Sequence, residues 1–392
     1  MPSHSTVEER SESSESPERL ASDRRRAAHR SAARTLHRAA VHIPLTERLS
    51  ALAAAAPEVV GPDEPADIYG DSVVATLEAE VARLLGTEDA AFFPTGTMAQ
   101  QIALRCWAGR IGNATVALHP KAHPELHEGG AFSVLSGLRT VHPTAEPRLP
   151  TADEVRDFGE PFGALMLELP LRDVGYVLPE WEELEAVVAA ARERDAVVHV
   201  DGARLWECTD HFGRGLDEIA GLADSVYVSF YKSLEGLGGA ALAGPRTLVE
   251  EARVWRHRYG GQVFQQFPTA VSALLGLKHR LPRLPGYVAH ARVVAGALRE
   301  GFAAAGVPFS RIHPERPHTH QFQVWLPYAP DVLEEVCVAQ AEETGTLLFG
   351  RWFADGPPGL SVTEVTVTEE GLAWTADDVK EAVAEFVRRL PR

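Results

Sequence analysis

The chain has 392 residues, 45% hydrophobic and 24% charged, with a formal net charge of −17. That is the balance of a soluble globular protein, long enough for one large domain and a smaller one. So acidic a surface repels phosphate backbones and argues against nucleic acid as a partner. No run of about 18 apolar residues is available to span a membrane, and the N-terminus lacks the apolar core of a secretory signal. Cys106, Cys208 and Cys337 are few and widely spaced. They suggest neither a disulfide framework nor a metal knuckle, and they suit a reducing cytoplasm.

Residues 1–23 are rich in Ser, Glu and Arg and nearly free of large apolar side chains, a composition that predicts disorder. The basic, Ala-rich stretch 24–38 reads as a frayed, solvated helix leading into the fold, in preference to a nucleic-acid or lipid arm. After residue 70 helices and strands alternate. Helical spacing marks 72–86, with Gly86 as C-cap. A buried strand follows at 89–94, a helix at 98–109, and strands at 114–119 and 162–170. Then come a helix at 180–194, strands at 196–201 and 224–232, and a helix near 266–280. This predicts an α/β domain with a mostly parallel sheet covered on both faces. From about 285 the texture changes. Helices at 288–306, 331–345 and 375–390 with strands at 321–327 and 360–367 predict an α+β C-terminal domain. The expected division is a tail (1–38), a large domain (39–284, with 39–70 as an arm) and a small domain (285–392).

Ligands of open α/β sheets bind beyond the carboxyl ends of strands, and three strand ends carry unusual residues. In FFPTGTMAQQ a strand runs into Thr95-Gly96-Thr97 and a helix start. That is either a phosphate cradle or a plain N-cap turn. In VVHVDGARLW, Asp201 ends an apolar strand, as a buried carboxylate needing a cationic partner or as an N-cap. In DSVYVSFYKSLEGLGG, Lys232 lies just past an apolar strand. It is a nucleophilic amine with a depressed pKa, or a lysine reaching for solvent. Each signal is weak alone. Together they describe pyridoxal phosphate, which needs a lysine for its aldehyde, a carboxylate for its ring nitrogen, a phosphate cradle and a planar group on the ring.

These blocks, together with DIYGDSVVATLEAEVARLLG, resemble the threonine aldolase and aromatic amino acid β-eliminating lyase family of fold type I pyridoxal-phosphate enzymes. The resemblance runs from about residue 67 to 280. It implies an aspartate aminotransferase-like fold. It also implies that Lys232 carries pyridoxal 5'-phosphate, that Asp201 pairs with the pyridine nitrogen, and that Arg204 meets the substrate carboxylate or Asp201. Gly96 and Thr97, with Thr95 and Ser229 beside them, would bind the phosphate. Within HPKAHPELHEGG, His123 lies five residues before Glu128-Gly129-Gly130. It resembles the family's ring-stacking histidine, which assists proton movement at the substrate hydroxyl. A metal site on His119, His123 and His127 would need one helical face, and Pro120 and Pro124 are expected to break that helix. His119 and His127 are then strand-end and packing residues.

The chain also departs from the family pattern. AVHIPLTERLS replaces the usual Arg-Ser-Asp-Thr segment. The turn RYGGQVFQQFP lacks the phosphate-side arginine, leaving Arg256 or Arg258 as substitutes. LSVTEVTV puts Leu360 and Glu364 where an arginine and a histidine would fall, leaving Arg351 as a candidate carboxylate clamp. The reaction implied is cleavage of a β-hydroxy-α-amino acid, threonine-like or bulkier and aromatic, to glycine and an aldehyde. The alternatives are β-elimination or other Cα chemistry on a different substrate, or a non-catalytic binding protein of the same fold. The family also implies a cytoplasmic homodimer or homotetramer with the site between subunits, Tyr69 and the Arg256–Gln262 turn being candidates for donation to the neighbour.

Overall fold

The structure, a computed structural model, describes residues 17–37, 43–354 and 356–391; the disorder expected for 1–16 lies outside them. Three helices precede the main sheet: α1 (Pro17–Ser31), α2 (Leu45–Ala55) and α3 (Val73–Leu85). In α3 the buried residues Val73, Val74, Leu77, Val81 and Leu85 recur at helical spacing, and Gly86 ends the helix at φ 63.

Seven strands then build one sheet: β1 (Asp89–Phe93), β2 (Thr115–Ala117), β3 (Arg139–Val141), β4 (Ala164–Glu168), β5 (Val197–Gly202), β6 (Ser225–Ser229) and β7 (Ala240–Gly244), in the spatial order β1-β7-β6-β5-β4-β2-β3. All run parallel except β7, which is antiparallel to both neighbours. Strands β4, β6 and β7 are buried along their whole length, as expected of a sheet covered on both faces. Helices α4 (Gly96–Ile111), α5 (Trp181–Glu193), α6 (Arg246–Arg258) and α7 (Phe267–His279) join α3 in covering it. Apolar side chains of α3, α5 and α7 share one core with strand residues, and those of α4 and α6 share another. The β6–β7 connection, residues 230–239, returns the chain in a tight hairpin. It needs glycine at 239, where φ is +84 and a Cβ would sit 2.4 Å from the Phe92 ring. Lys232 rides on this connection.

The remainder forms a second layer: α8 (Leu284–Ala304), β8 (Arg311–His313), β9 (Gln321–Leu326), α9 (Pro330–Thr344), β10 (Trp352–Phe353), β11 (Ser361–Thr366) and α10 (Ala376–Arg388). Its antiparallel sheet has the order β10-β11-β9-β8. Helix α8 runs through both cores, with Leu284 and Tyr287 in the first and Val294, Leu298 and Phe302 in the second.

One expectation is corrected. Residues 17–31, assigned above to a disordered or solvated tail, form α1 and belong to the second core. Ala28, Ala32 and Leu36 are buried in it. Arg24 bonds Glu335 and Glu342 at 2.7–2.9 Å, and Arg25 meets Glu334 at 2.5 Å. Arg34–Thr35 adds a parallel bridge to Thr346–Leu347. The basic charge is matched by an acidic face of α9, which no local pattern reveals.

Candidate active site

The chemistry-bearing residues meet at the carboxyl ends of the parallel strands. Glu168 and Asp201 end β4 and β5 in register, side by side. Asp201 is fully buried; Oδ2 accepts from Gln100 Nε2 at 2.9 Å and Oδ1 from the Ala203 N–H at 3.1 Å. The Glu168 carboxyl accepts the N–H groups of His123 (2.7 Å) and Arg172 (3.2 Å). Burial first, then the Asp201 charge, pushes the Glu168 carboxyl up to about 8.

Helix α4 starts at this edge. Thr95 is its N-cap, its hydroxyl accepting from the Met98 N–H at 3.2 Å, so the plain capping role is real. The cap leaves the Gly96 and Thr97 N–H groups without intrahelical acceptors. Glycine at 96 is required by close approach, since a Cβ there would fall 2.0 Å from the Tyr227 hydroxyl. Ser229 is fully buried and donates its hydroxyl to the Ala203 carbonyl at 2.7 Å, so its only proton is committed to the backbone.

Burial, followed by the Arg204 charge, lowers the Lys232 amine to about 8, with Asp201 and Glu168 opposing. His123 is lowered to about 4, mainly by burial, and carries a neutral ring at pH 7. Pro124 does not break the local helix. It occupies the first turn of a short helix, His123–His127, where its missing N–H costs nothing. The His123 and His127 rings lie 5.1 Å apart, but His127 pairs with Asp173 at 3.0 Å on the surface rather than packing. His119 points elsewhere, its Nε2 2.7 Å from the Glu146 carbonyl. Among the described residues no group of three His, Cys, Asp or Glu side chains is arranged to hold a metal.

Arg204 lies 5.3 Å above the Tyr176 ring, and its Nε is buried without a partner. A cavity of about 380 Å³ opens beside it, lined by Arg204, Tyr231, Lys232, His320, Gln321 and Thr366. The other arginines considered above lie apart from this cavity. Arg256 is buried against Glu78 and the Phe92 carbonyl, Arg258 stacks on Trp255, and Arg351 is two-thirds exposed over Phe353. Glu364 accepts from Arg172 at 2.9 Å.

Sequence reasoning missed several site residues. Gln100, which holds Asp201, lies four positions after the Thr95–Gly96 turn, one helical turn into α4, a spacing that could have flagged it. Glu128 was noted only as a marker for His123. Both its oxygens are buried without a partner. Burial raises its carboxyl to about 7, the Asp201 charge acting the same way and nearby Thr97 and Gln101 against it.

A lysine and a carboxylate at adjacent strand ends, beside the open N-terminus of a helix on a sheet of this order, define a pyridoxal-phosphate enzyme of fold type I. The comparisons agree. Residues 46–318 match the beta-eliminating lyase family. The low specificity L-threonine aldolase of Escherichia coli K12 is 32% identical over 249 residues, 60% of this chain and 72% of the relative. A candidate aromatic amino acid beta-eliminating lyase/threonine aldolase from Exiguobacterium sp. 255-15 superposes with TM-score 0.83 at 33% identity, covering 94% of this chain and all of the other. A candidate L-allo-threonine aldolase from Listeria monocytogenes gives TM-score 0.84 at 31% identity, with the same coverage. The chain belongs to the beta-eliminating lyase family of pyridoxal-phosphate-dependent lyases.

Proposed function

We propose that this chain cleaves the Cα–Cβ bond of a β-hydroxy-α-amino acid, giving glycine and an aldehyde. The observation that carries the reading is the meeting of Lys232, Asp201 and His123 beside the N-terminus of α4. The residues fit pyridoxal phosphate: a depressed amine, a buried carboxylate with lone pairs to spare, and orphan N–H groups at a helix start. When bound, the cofactor supplies the sink for the electron pair left on Cα.

The chain's own groups divide the remaining work. Lys232, its amine depressed to about 8 by burial and the Arg204 charge, would hold the cofactor at its aldehyde carbon. Asp201, fixed by Gln100, holds a proton on the ring nitrogen. The Gly96 and Thr97 N–H groups and the Thr97 hydroxyl receive the phosphate. Thr95 retains its hydroxyl proton to donate. His123 is neutral and takes the β-hydroxyl proton. Arg204, which lines the cavity, meets the substrate carboxylate, which the chain must hold without an arginine at position 360. Arg172 sits at the same edge but is already paired with Glu364.

Product analysis on L-threonine, allo-threonine and β-phenylserine tests the reaction. Glycine with an aldehyde is expected; ammonia with a keto acid would instead indicate β-elimination. The reading extends to a cytoplasmic enzyme of at least two subunits, divided near residue 284. Exposed Tyr69 and Phe264, locked edge to face at 5.4 Å, offer an apolar contact. A monomer by sedimentation would contradict the oligomer.

A further inference from the structure

Asp201, Arg204 and Glu207 are spaced by three along one segment that starts at the end of β5. The first two face the proposed cofactor and substrate; Glu207 has no role in that account, yet it is almost fully buried. Its Oε2 accepts the hydroxyl of Ser233, the residue after Lys232, and lies 2.8 Å from His320 Nε2. The other ring nitrogen of His320 lies 2.8 Å from the Val367 carbonyl. Both partners of the ring are acceptors, so both nitrogens donate, and His320 is an imidazolium facing a carboxylate. His320 immediately precedes β9 and Val367 follows β11. The chain Ser233–Glu207–His320–Val367 therefore joins the lysine hairpin to the second layer, and it does so through the segment that carries Asp201.

We propose that Glu207 and His320 are positioning residues that fix Lys232, through Ser233, at a set distance from Asp201. This rests on the reading that Lys232 carries the cofactor. The physical reason is that the 230–239 connection is held at its lysine end by the buried Phe230 and Leu234 and by backbone hydrogen bonds to the Phe230 and Lys232 carbonyls, which fix the turn, while polar side-chain anchoring beside the lysine rests on Ser233. Its glycines confer freedom, Tyr231 is exposed, and among the described residues the only side-chain hydrogen bond from residues 230–233 is that of Ser233 to Glu207. Lysine and aspartate address opposite sides of one rigid ring, so a shift of about 1 Å between them is costly.

The test combines hydrogen exchange on the protein without added cofactor with steady-state kinetics on the loaded enzyme. In Glu207→Ala, exchange in the 231–237 peptide should rise about tenfold or more while the peptide covering β1 stays unchanged. The turnover number should fall about tenfold with KM within about threefold. Ser233→Ala, which leaves the buried ion pair intact, should loosen the same peptide and keeps the test decisive if Glu207→Ala fails to fold. Glu207→Gln should recover most of the loss. Its amide oxygen, placed where Oε2 lies, can still accept from both Ser233 and the His320 imidazolium. Unchanged or uniformly raised exchange would overturn the proposal, as would a loosened hairpin with unaltered turnover. If the wild type fails to load on Lys232, exchange still decides the tether, and that failure counts against the cofactor assignment alone.

Discussion

The buried acids give the site its character. Asp201 is held by two hydrogen bonds and Glu207 by an ion pair, whereas at Glu128 burial outweighs the opposing help of Thr97 and Gln101. A carboxyl whose burial outweighs its partners keeps its proton. The Glu128 value of about 7 lies above the ordinary carboxyl range near 4.3. Between those values the folded protein holds a proton that the unfolded chain has released. Stability therefore falls as pH rises through that window and stays lower above it. Glu128→Gln should remove this slope and stabilise the cofactor-free protein at pH 8, by about 1–3 kcal/mol after allowance for partial exposure. Urea unfolding at pH 5 and pH 8 checks it; an equal effect of the substitution at both values would show that Glu128 is ionised throughout. The Glu207–His320 pair has the opposite sign at its two ends. Glu207 is depressed by His320 against the cost of burial, and its contribution is lost as pH falls through its folded value. His320 is raised by Glu207, and its contribution is lost as pH rises through its own.

At the scale of elements, what was legible in the sequence was local. An apolar run ending in Asp201, another running out before Lys232, and a Thr-Gly-Thr turn between strand and helix each announce themselves within ten residues. Features made by distant partners were not legible. Glu207 finds His320 113 positions away, and the composition of neither neighbourhood suggests it. Strand β3 has only three residues, too few for an alternating pattern. Helix α1 is the clearest case. Its basic face looked solvated because the acidic face of α9 that receives it lies about 310 residues downstream. The Arg24 pairs are exposed and the Arg25–Glu334 pair is only partly buried, so removing Arg24 and Arg25 together should cost only about 1 kcal/mol. Ala28 is buried between α1 and the second core. Ala28→Asp should cost about 2–4 kcal/mol by burying an unpaired carboxylate. Denaturant midpoints of the two variants check the order; a larger effect from the arginines would mean that charge, not packing, docks α1.

At the scale of the molecule, two layers meet over one strand-end edge. The main sheet supplies Asp201, Glu168 and the start of α4. The β6–β7 hairpin supplies Lys232. The second layer closes the cavity with His320, Gln321 and Thr366. Helix α8, shared by both cores, makes the layers one body mechanically, and the Glu207–His320 pair ties them again at the lysine. On the resemblance drawn from the sequence, the cofactor half of the site would follow the family's pattern and the substrate half would be rebuilt, with Leu360 where an arginine is expected; Glu364 is engaged by Arg172. The account therefore stands on the cofactor lysine before it stands on any substrate. The most direct measurement is the absorbance of the purified protein between about 300 and 500 nm with added pyridoxal phosphate, before and after borohydride, with the reduced peptide mapped. The account predicts a visible band that borohydride removes, a pyridoxyl group on Lys232, and no band in Lys232→Ala. An unchanged spectrum, or a pyridoxyl group on another lysine, would contradict it.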